Sequence, residues 1–448
     1  MTVAALFPGP VVIGPHDERV AVARAAGSFV VVEARSIGAT VVPVTVGGGQ
    51  AALEVVVRRG AGVIPEALTV TVTGDLRSAA VVREAVERRI DQAVAREPGA
   101  TLRIGPVPVF DETAMPQDPL VLVVPVRVRG PDALPVEGTV RVTVLRQAVE
   151  VIDPAMLLVS NRPEAVVADG VLFSEVVDAR IPIRLLYHHK NGTPEHSRIL
   201  SIVLTNRSIR TAQMLLITGL AGPSPDALFV GHSATARFLQ NLAAGRGYVL
   251  EIPPQSSYAF TAQTLPPFQI VSGVLQLHLL QGEELGVSVQ IRSPWVLERT
   301  ADSAISQEAF PHPKGIFAGP TANIVTTIDA TQATTVVDLG FVAALRDIRT
   351  GEPLNGDYGV VYRLTIAATN PLSRELSAEI VATAMGGAAR GAFLIDGRLV
   401  EIGLLRRNDE WALGTLTIPP GQTVQIQVLT MPAAGSNYPV RLSLRPRE

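Results

Sequence analysis

Cysteine is absent from the 448 residues, which excludes disulfides, thiolate nucleophiles and cysteine-based metal or haem sites. Lysine is nearly absent too, Lys190 and Lys314 being the only two. Positive charge is therefore carried by arginine. Arginine clusters can hold phosphate, but Arg, Ala, Val, Gly and Pro rise together here, as a compositional bias of the source genome would make them. Aromatic residues are 4% of the chain, with only Trp295 and Trp411 as tryptophans. That is poor material for the exposed ring platforms on which sugars rest. Apolar residues make up 47%, yet no uninterrupted run reaches the ~18 residues of a membrane helix, so no transmembrane segment is expected. A formal net charge of -3 supplies no field favouring nucleic acid or anionic membranes. Gly47-Gly48-Gly49 leads to Gln50 rather than to a phosphate-binding lysine, and no pattern in the chain asks for a cofactor.

What is present is an internal repeat. Sliding the chain by 164 residues places Asn191-Gly192 on Asn355-Gly356, Leu200 on Leu364, Ile202 on Ile366 and Thr205-Asn206 on Thr369-Asn370. One residue of slip, to 165, sets Thr218-Gly219-Leu220-Ala221-Gly222 over Thr383-Ala384-Met385-Gly386-Gly387. A second slip, to 166, sets Leu250-Glu251-Ile252-Pro253-Pro254 over Leu416-Thr417-Ile418-Pro419-Pro420. Turn residues and apolar alternation match together, which marks a duplicated domain. The second copy carries about 20 additional residues before its Asn-Gly, expected to form an added strand pair around Ile324 to Val342.

Taken in order, residues 1–26 are rich in Pro and Gly and read as an irregular lead-in. Residues 27–150 contain β-branched runs with the period of half-buried strands and one different pattern, over 78–97. There Val82, Val86, Ile90 and Val94 recur every four residues, with charged residues opposite. An amphipathic helix is expected, begun by Asp75 or Ser78 and stopped at Pro98-Gly99. Residues 165–298 and 314–448 hold the two copies, and the polar stretch from Arg299 to Pro313 suits a linker.

Tyr362-Arg363-Leu364-Thr365-Ile366 leads to Thr369-Asn370-Pro371, and Leu416-Thr417-Ile418-Pro419-Pro420-Gly421-Gln422 leads into Val424-Gln425-Ile426-Gln427-Val428. This succession of strand, turn and strand resembles tandem immunoglobulin-like β-sandwich domains of bacterial surface and secreted proteins, at fold level, over about residues 199–280 and 362–444 of the region 170–448. The expected architecture is mainly β, an N-terminal α+β domain followed by two homologous immunoglobulin-like antiparallel β-sandwiches. The resemblance implies binding or structural roles more often than catalysis.

Three functional classes follow. The first is a non-catalytic binding or structural protein of the cell envelope or extracellular space, engaging a protein partner or other copies of itself through sandwich edges or loops. Val3 to Leu6 form a short apolar start with no basic residue before Arg19, so no signal peptide is recognisable. All-β repeats without reactive thiols nevertheless favour an extracytoplasmic location. The second class is a serine hydrolase. Val230-Gly231-His232-Ser233-Ala234-Thr235 approaches a nucleophile elbow, with Thr235 where the second glycine belongs, His278 as candidate base and Asp226 as its orienter; the alternative is a capped helix with Ser233 accepting from backbone amides. The third is a metal-binding module. His188, His189, His196, His232 and His278 lie in the first copy and have no counterparts in the second. If Asn191-Gly192 closes a two-residue hairpin, His189 and His196 become diagonal neighbours that could share a divalent metal with His188, His278 or Glu195. The acidic pairs Asp111-Glu112, Glu283-Glu284 and Asp409-Glu410 read as solvated, and Asn191-Gly192-Thr193 and Asn206-Arg207-Ser208 match the glycosylation acceptor pattern.

Overall fold

The structure, a computed structural model, describes residues 2–4, 10–74, 78–110, 119–178, 181–294 and 313–447. The fold is mainly β, with two helices among the described residues, α1 (Ala79–Ala93) and α2 (Ala227–Ala243). The chain divides into two compact units, one of Met1–Thr69, Val86–Val109 and Val121–Thr143, the other of Val70–Ala85, Phe110–Leu120 and Val144–Glu448.

In the first unit, strands occupy part of the stretch expected to be an irregular lead-in, of which residues 5–9 lie outside the described residues. Val11–Ile13 pairs with Gly38–Val46, which pairs with Gly49–Val57, while Ala21–Ala26 pairs with Phe29–Ala34. Their inward residues, among them Val11, Ala21, Val30, Val32, Val42 and Val44, form one small core. Pro10, Gly14 and Pro15 lie in the connections, and three-residue strands such as Val11–Ile13 are too short to show a period. Helix α1 ends at Ala93, short of the expected Pro98-Gly99, because Ala95–Arg96 leaves the helix to pair with Gly62–Val63. Val82, Val86 and Ile90 on α1 are buried, as the period predicted, and Val81 and Ala85 are buried beside them. Asp75, one proposed cap, lies outside the described residues.

The larger unit contains two β-sandwiches. In the first, one sheet runs Gly170–Asp178, Glu284–Arg292, Arg198–Asn206, Ser256–Leu265, and the other passes through Tyr248–Ile252, Ala212–Ser224, Ile270–Gln281 and Ile183–Asn191. In the second, Thr321–Asp329, Val361–Thr369, Thr423–Thr430, Ala389–Ile395 and Arg398–Leu405 form one sheet, and Glu410–Ile418, Leu376–Ala384, Val440–Pro446 and Thr334–Leu339 the other. Strands aligned by the sequence repeat occupy matching places. Thr205 meets Ser257 through hydroxyls 2.9 Å apart, as Thr369 meets Thr423 at 3.0 Å. Asn206 Nδ2 donates to the carbonyls of Arg210, Ile252 and Pro253 while Oδ1 accepts from Ser208 N. Asn370 does the same with Arg374, Ile418, Pro419 and Leu372 N. Both asparagines are buried, and each ties the end of one sheet's strand to the start of the other's.

Three differences separate the two sandwiches. The strands Thr321–Asp329 and Thr334–Leu339 are not an added pair; they hold the places of Gly170–Asp178 and Ile183–Asn191, and the additional residues form a loop over 340–360. In the first sandwich Glu284–Arg292 lies between Gly170–Asp178 and Arg198–Asn206, whereas Thr321–Asp329 pairs directly and in parallel with Val361–Thr369. Between Ala212–Ser224 and Tyr248–Ile252 the first sandwich inserts α2; at the matching point the second inserts the hairpin of Ala389–Ile395 and Arg398–Leu405. That hairpin turns on Asp396-Gly397 with φ of 48° and 81°, the left-handed pair that a two-residue turn requires.

The two sandwiches are joined by more than a linker. The expected linker up to residue 312 lies outside the described residues, but Lys314–Ala318 pairs antiparallel with Met156–Ser160, which itself lies parallel to Ile183–Asn191 of the first sandwich.

Candidate functional site

Helix α2 carries the residues that resemble a nucleophile elbow, and the structure assigns them a packing role. Asp226 is the N-cap, its carboxylate accepting from Phe229 N at 2.9 Å, so it does not orient a histidine. Ser233 lies two turns inside the helix and does not cap it. An elbow needs the serine on a strained turn between strand and helix, and mid-helix backbone offers neither the strain nor the exposure. His278 lies on the strand Ile270–Gln281 opposite Leu215, its Nδ1 buried without a hydrogen-bond partner and its basicity lowered by burial.

What α2 does instead follows from its two faces. On one, Gly219 of the underlying strand allows close approach: a Cβ there would stand 2.2 Å from the Ala234 carbonyl oxygen and 2.5 Å from Phe238 N. The matching residue of the second copy, which has no helix to admit, is Ala384. On the other face, a Cβ at Gly231 would stand 1.7 Å from the Ala434 carbonyl oxygen. Phe238, Leu239 and Leu242 of α2 share one core with Phe393, Leu394, Ile402 and Ala434 of the second sandwich. His232 Nε2 lies 2.8 Å from Glu401 Oε1 on that hairpin. Burial lowers the basicity of His232 more than Glu401 raises it, because a second ring proton would sit on a buried Nδ1 that has no acceptor. The contact is therefore a neutral imidazole donating to a carboxylate.

Arg184 completes the joint. It is wholly buried, donates through Nη1 to the carbonyls of Pro320 (2.7 Å) and Gly359 (2.9 Å) in the second sandwich, and through Nη2 to Gln276 Oε1 at 3.3 Å. Its guanidinium carbon lies 5.6 Å from the Phe238 ring centroid, within cation–π range. Burial pushes its pKa down to about 9, against the pull of Asp153. It stays charged at neutral pH.

The first-copy histidines are dispersed. Ile183–Asn191 and Arg198–Asn206 belong to different sheets, so Asn191-Gly192 closes no hairpin and His189 and His196 are not diagonal neighbours. The Asn191 side chain instead accepts from Thr193 N and donates to the carbonyls of His196 and Leu265. His189 is buried with both nitrogens engaged, Nδ1 donating to Pro163 O and Nε2 accepting from Ser160 Oγ, each at 2.9 Å. His188, the next residue, is buried on the opposite face of the strand. His196 Nε2 reaches Ser293 Oγ at 3.0 Å, and that hydroxyl donates to Asp169, which also pairs with Arg198. With its proton turned to Asp169, Ser293 is not activated by His196. No group of three potential metal ligands occurs among the described residues. Asn191 and Asn206 are buried, so neither acceptor pattern is open to a glycan in the folded chain.

A feature the sequence reading passed over lies where the loop 340–360 meets the strand Lys314–Ala318. A cleft of about 570 Å³ opens there, lined by Arg162, Lys314, Phe341, Glu352, Tyr358 and Tyr438 among others. Arg162 and Glu352 approach to 3.5 Å. Tyr358 and Tyr438 meet edge to face with centroids 6.0 Å apart; Tyr358 donates to Ser436 O, and Tyr438 accepts from Ala433 N. Burial pushes the Tyr358 phenol up to about 12 and the Tyr438 phenol higher still, so both walls are neutral. Two clues were legible: the surplus residues of the second copy and the rarity of lysine.

No protein-family model matches the chain, and no curated protein matches it. Among solved structures, the M60 catalytic domain with two CBM51 domains from Clostridium perfringens ZmpB is 7% identical, with 98% of this chain and 55% of that chain covered, at a TM-score of 0.19. The present chain thus spans about half of that protein's length. Tripeptidyl peptidase 2 is 12% identical with 78% and 30% covered and a TM-score of 0.17. The CBM22 tandem of Paenibacillus barcinonensis Xyn10C is 11% identical with 78% and 86% covered and a TM-score of 0.13. Likenesses at such TM-scores carry nothing about function.

Proposed function

We propose that this chain is a non-catalytic binding or structural protein acting outside the cytoplasm, with its two sandwiches as duplicated domains held in one fixed arrangement. The observation that carries the reading is α2: the helix bearing the most enzyme-like sequence is the element on which the sandwiches dock. Its partner is a protein, or another copy of the chain, met through the sandwich edges. Edge strands of the second sandwich support this, since Val325 on Thr321–Asp329, Leu404 on Arg398–Leu405 and Trp411 on Glu410–Ile418 are all exposed.

Fluorophosphonate labelling separates this reading from a hydrolase. Neither the wild-type chain nor Ser233→Ala should label, and the two should be indistinguishable in stability, a half-buried hydroxyl within a helix being worth only tenths of a kcal/mol when its proton has no special partner. Labelling that disappears in Ser233→Ala would overturn the non-catalytic reading. Recovery of the native protein solely from the cytoplasmic fraction of its source cells would overturn the location.

A further inference from the structure

The cleft beside the loop 340–360 has a composition that scaffolding does not require. Its ionisable lining consists of Arg162, Lys314 and Glu352, with the two neutral phenols. Glu352 offsets Arg162, to which it is paired, and leaves one positive charge over. Lys314 is half-buried, and among the described residues no acceptor takes a hydrogen bond from its ammonium. Burial, reinforced by the positive charge of Arg162, lowers its pKa from the ordinary lysine value. A cation in that condition is short of counter-charge, and an entering anion gains a charge-assisted hydrogen bond. The rest of the lining is mostly apolar: Phe341, which is 67% exposed at the rim, Phe317, Pro313, Pro353 and the rings of Tyr358 and Tyr438, with Asn355 the one further polar side chain. A volume of about 570 Å³ suits a small molecule rather than a polypeptide segment, since sites for such ligands usually span roughly 300–1,000 Å³.

We propose that this cleft binds a small organic anion, a carboxylate carried on a ring or similar flat apolar body, with Lys314 taking the carboxylate and Phe341 covering the ring. Inorganic anions lack the body that would displace water from the aromatic walls, and neutral aromatics leave the ammonium unpaired. The inference goes beyond the scaffold reading and does not depend on it, because a scaffold without a small-molecule site and a ligand-binding protein without an edge partner are both coherent.

Isothermal titration calorimetry on the full chain tests it, with 2-naphthoate as probe, 2-naphthamide as its neutral counterpart and inorganic phosphate as an anion without a ring. Naphthoate should bind, and both naphthamide and phosphate should bind at least about tenfold more weakly, the loss expected for one charge-assisted hydrogen bond or one buried ring. Lys314→Gln should weaken naphthoate by a similar factor. Phe341→Ala should weaken naphthoate but leave phosphate where it was. Thermal unfolding curves matching wild type show that both variants fold, and Phe341→Ala, at an exposed position, keeps the test open should Lys314→Gln unfold. No binding of naphthoate, equal binding of naphthamide or phosphate, or unchanged naphthoate binding in both folded variants would each overturn the proposal.

Discussion

An interior histidine can act as a switch, a ligand or an inert strut, and its hydrogen bonds decide which. His189 has no free nitrogen: the Pro163 carbonyl can only accept, so Nδ1 carries the proton, and Nε2 then receives the Ser160 hydroxyl. A second proton would displace that hydroxyl inside a wholly buried site, which is why burial holds its pKa at about 3, against an ordinary value of 6.5. The consequence for stability has a definite sign. Below pH 6.5 the unfolded chain takes up a proton that the folded chain refuses, so stability is full above that pH and falls as pH drops towards 3, by about 1.4 kcal/mol per pH unit for this one group. Glutamine can donate to Pro163 and accept from Ser160 without titrating. Urea unfolding at pH 7.5 and pH 5 should therefore show His189→Gln losing about 2 kcal/mol less than wild type over that interval. Carboxylates and the other histidines cancel in the comparison. Equal losses in the two proteins would show that the site tolerates the charge.

Helix α2 makes the corresponding point for an element. A helix buried on both faces needs small residues where backbones approach, and Gly231 is the closest approach, facing the Ala434 carbonyl. Gly231→Ala raises intrinsic helix propensity, yet it should destabilise the protein by about 1–3 kcal/mol, because the added methyl forces the helix off the second sandwich. Chemical denaturation beside Ser233→Ala on the same helix checks this; equal stability of the two variants would mean that the contact yields freely. The same glycine shows what the sequence could reveal. It was legible that a small residue belongs there and that a helix is the alternative to an elbow, and the elbow pattern rests on the same need for close packing. What it packs against was not legible, because Ala434 is two hundred residues away and belongs to the other copy. The histidines failed likewise. Asn191-Gly192 signals a hairpin only if the flanking strands share a sheet, and sandwich topology sends them to opposite sheets. By contrast the paired Asn206 and Asn370 networks, and the alternation of Leu200, Ile202 and Leu204 with Leu364, Ile366 and Ala368, followed from the repeat because each is built from one copy's own residues.

For the tandem sandwiches as a whole, the joint is a continuation of the core rather than a surface contact. One apolar cluster runs from Leu157 and Leu186 through Phe238 and Leu242 to Phe393 and Leu444. A strand at the start of the second sandwich extends a sheet of the first, and Arg184 donates to carbonyls of the other copy. Removing the guanidinium strands those carbonyls in a dry interior, and a buried polar group left without its partner costs about 1–3 kcal/mol. Separate domains would pass such damage only to the domain that bears it. A fused pair must spread it. Amide exchange followed by mass spectrometry should then show the central strands Arg198–Asn206 and Val361–Thr369 opening at the same free energy in the wild-type chain, and Arg184→Met should lower both by the same amount although the residue belongs to the first sandwich. If Arg184→Met loosened only the first sandwich, or if the two strands opened independently from the outset, the sandwiches would be two domains that merely touch, and a fixed arrangement could not be what the duplication was retained for.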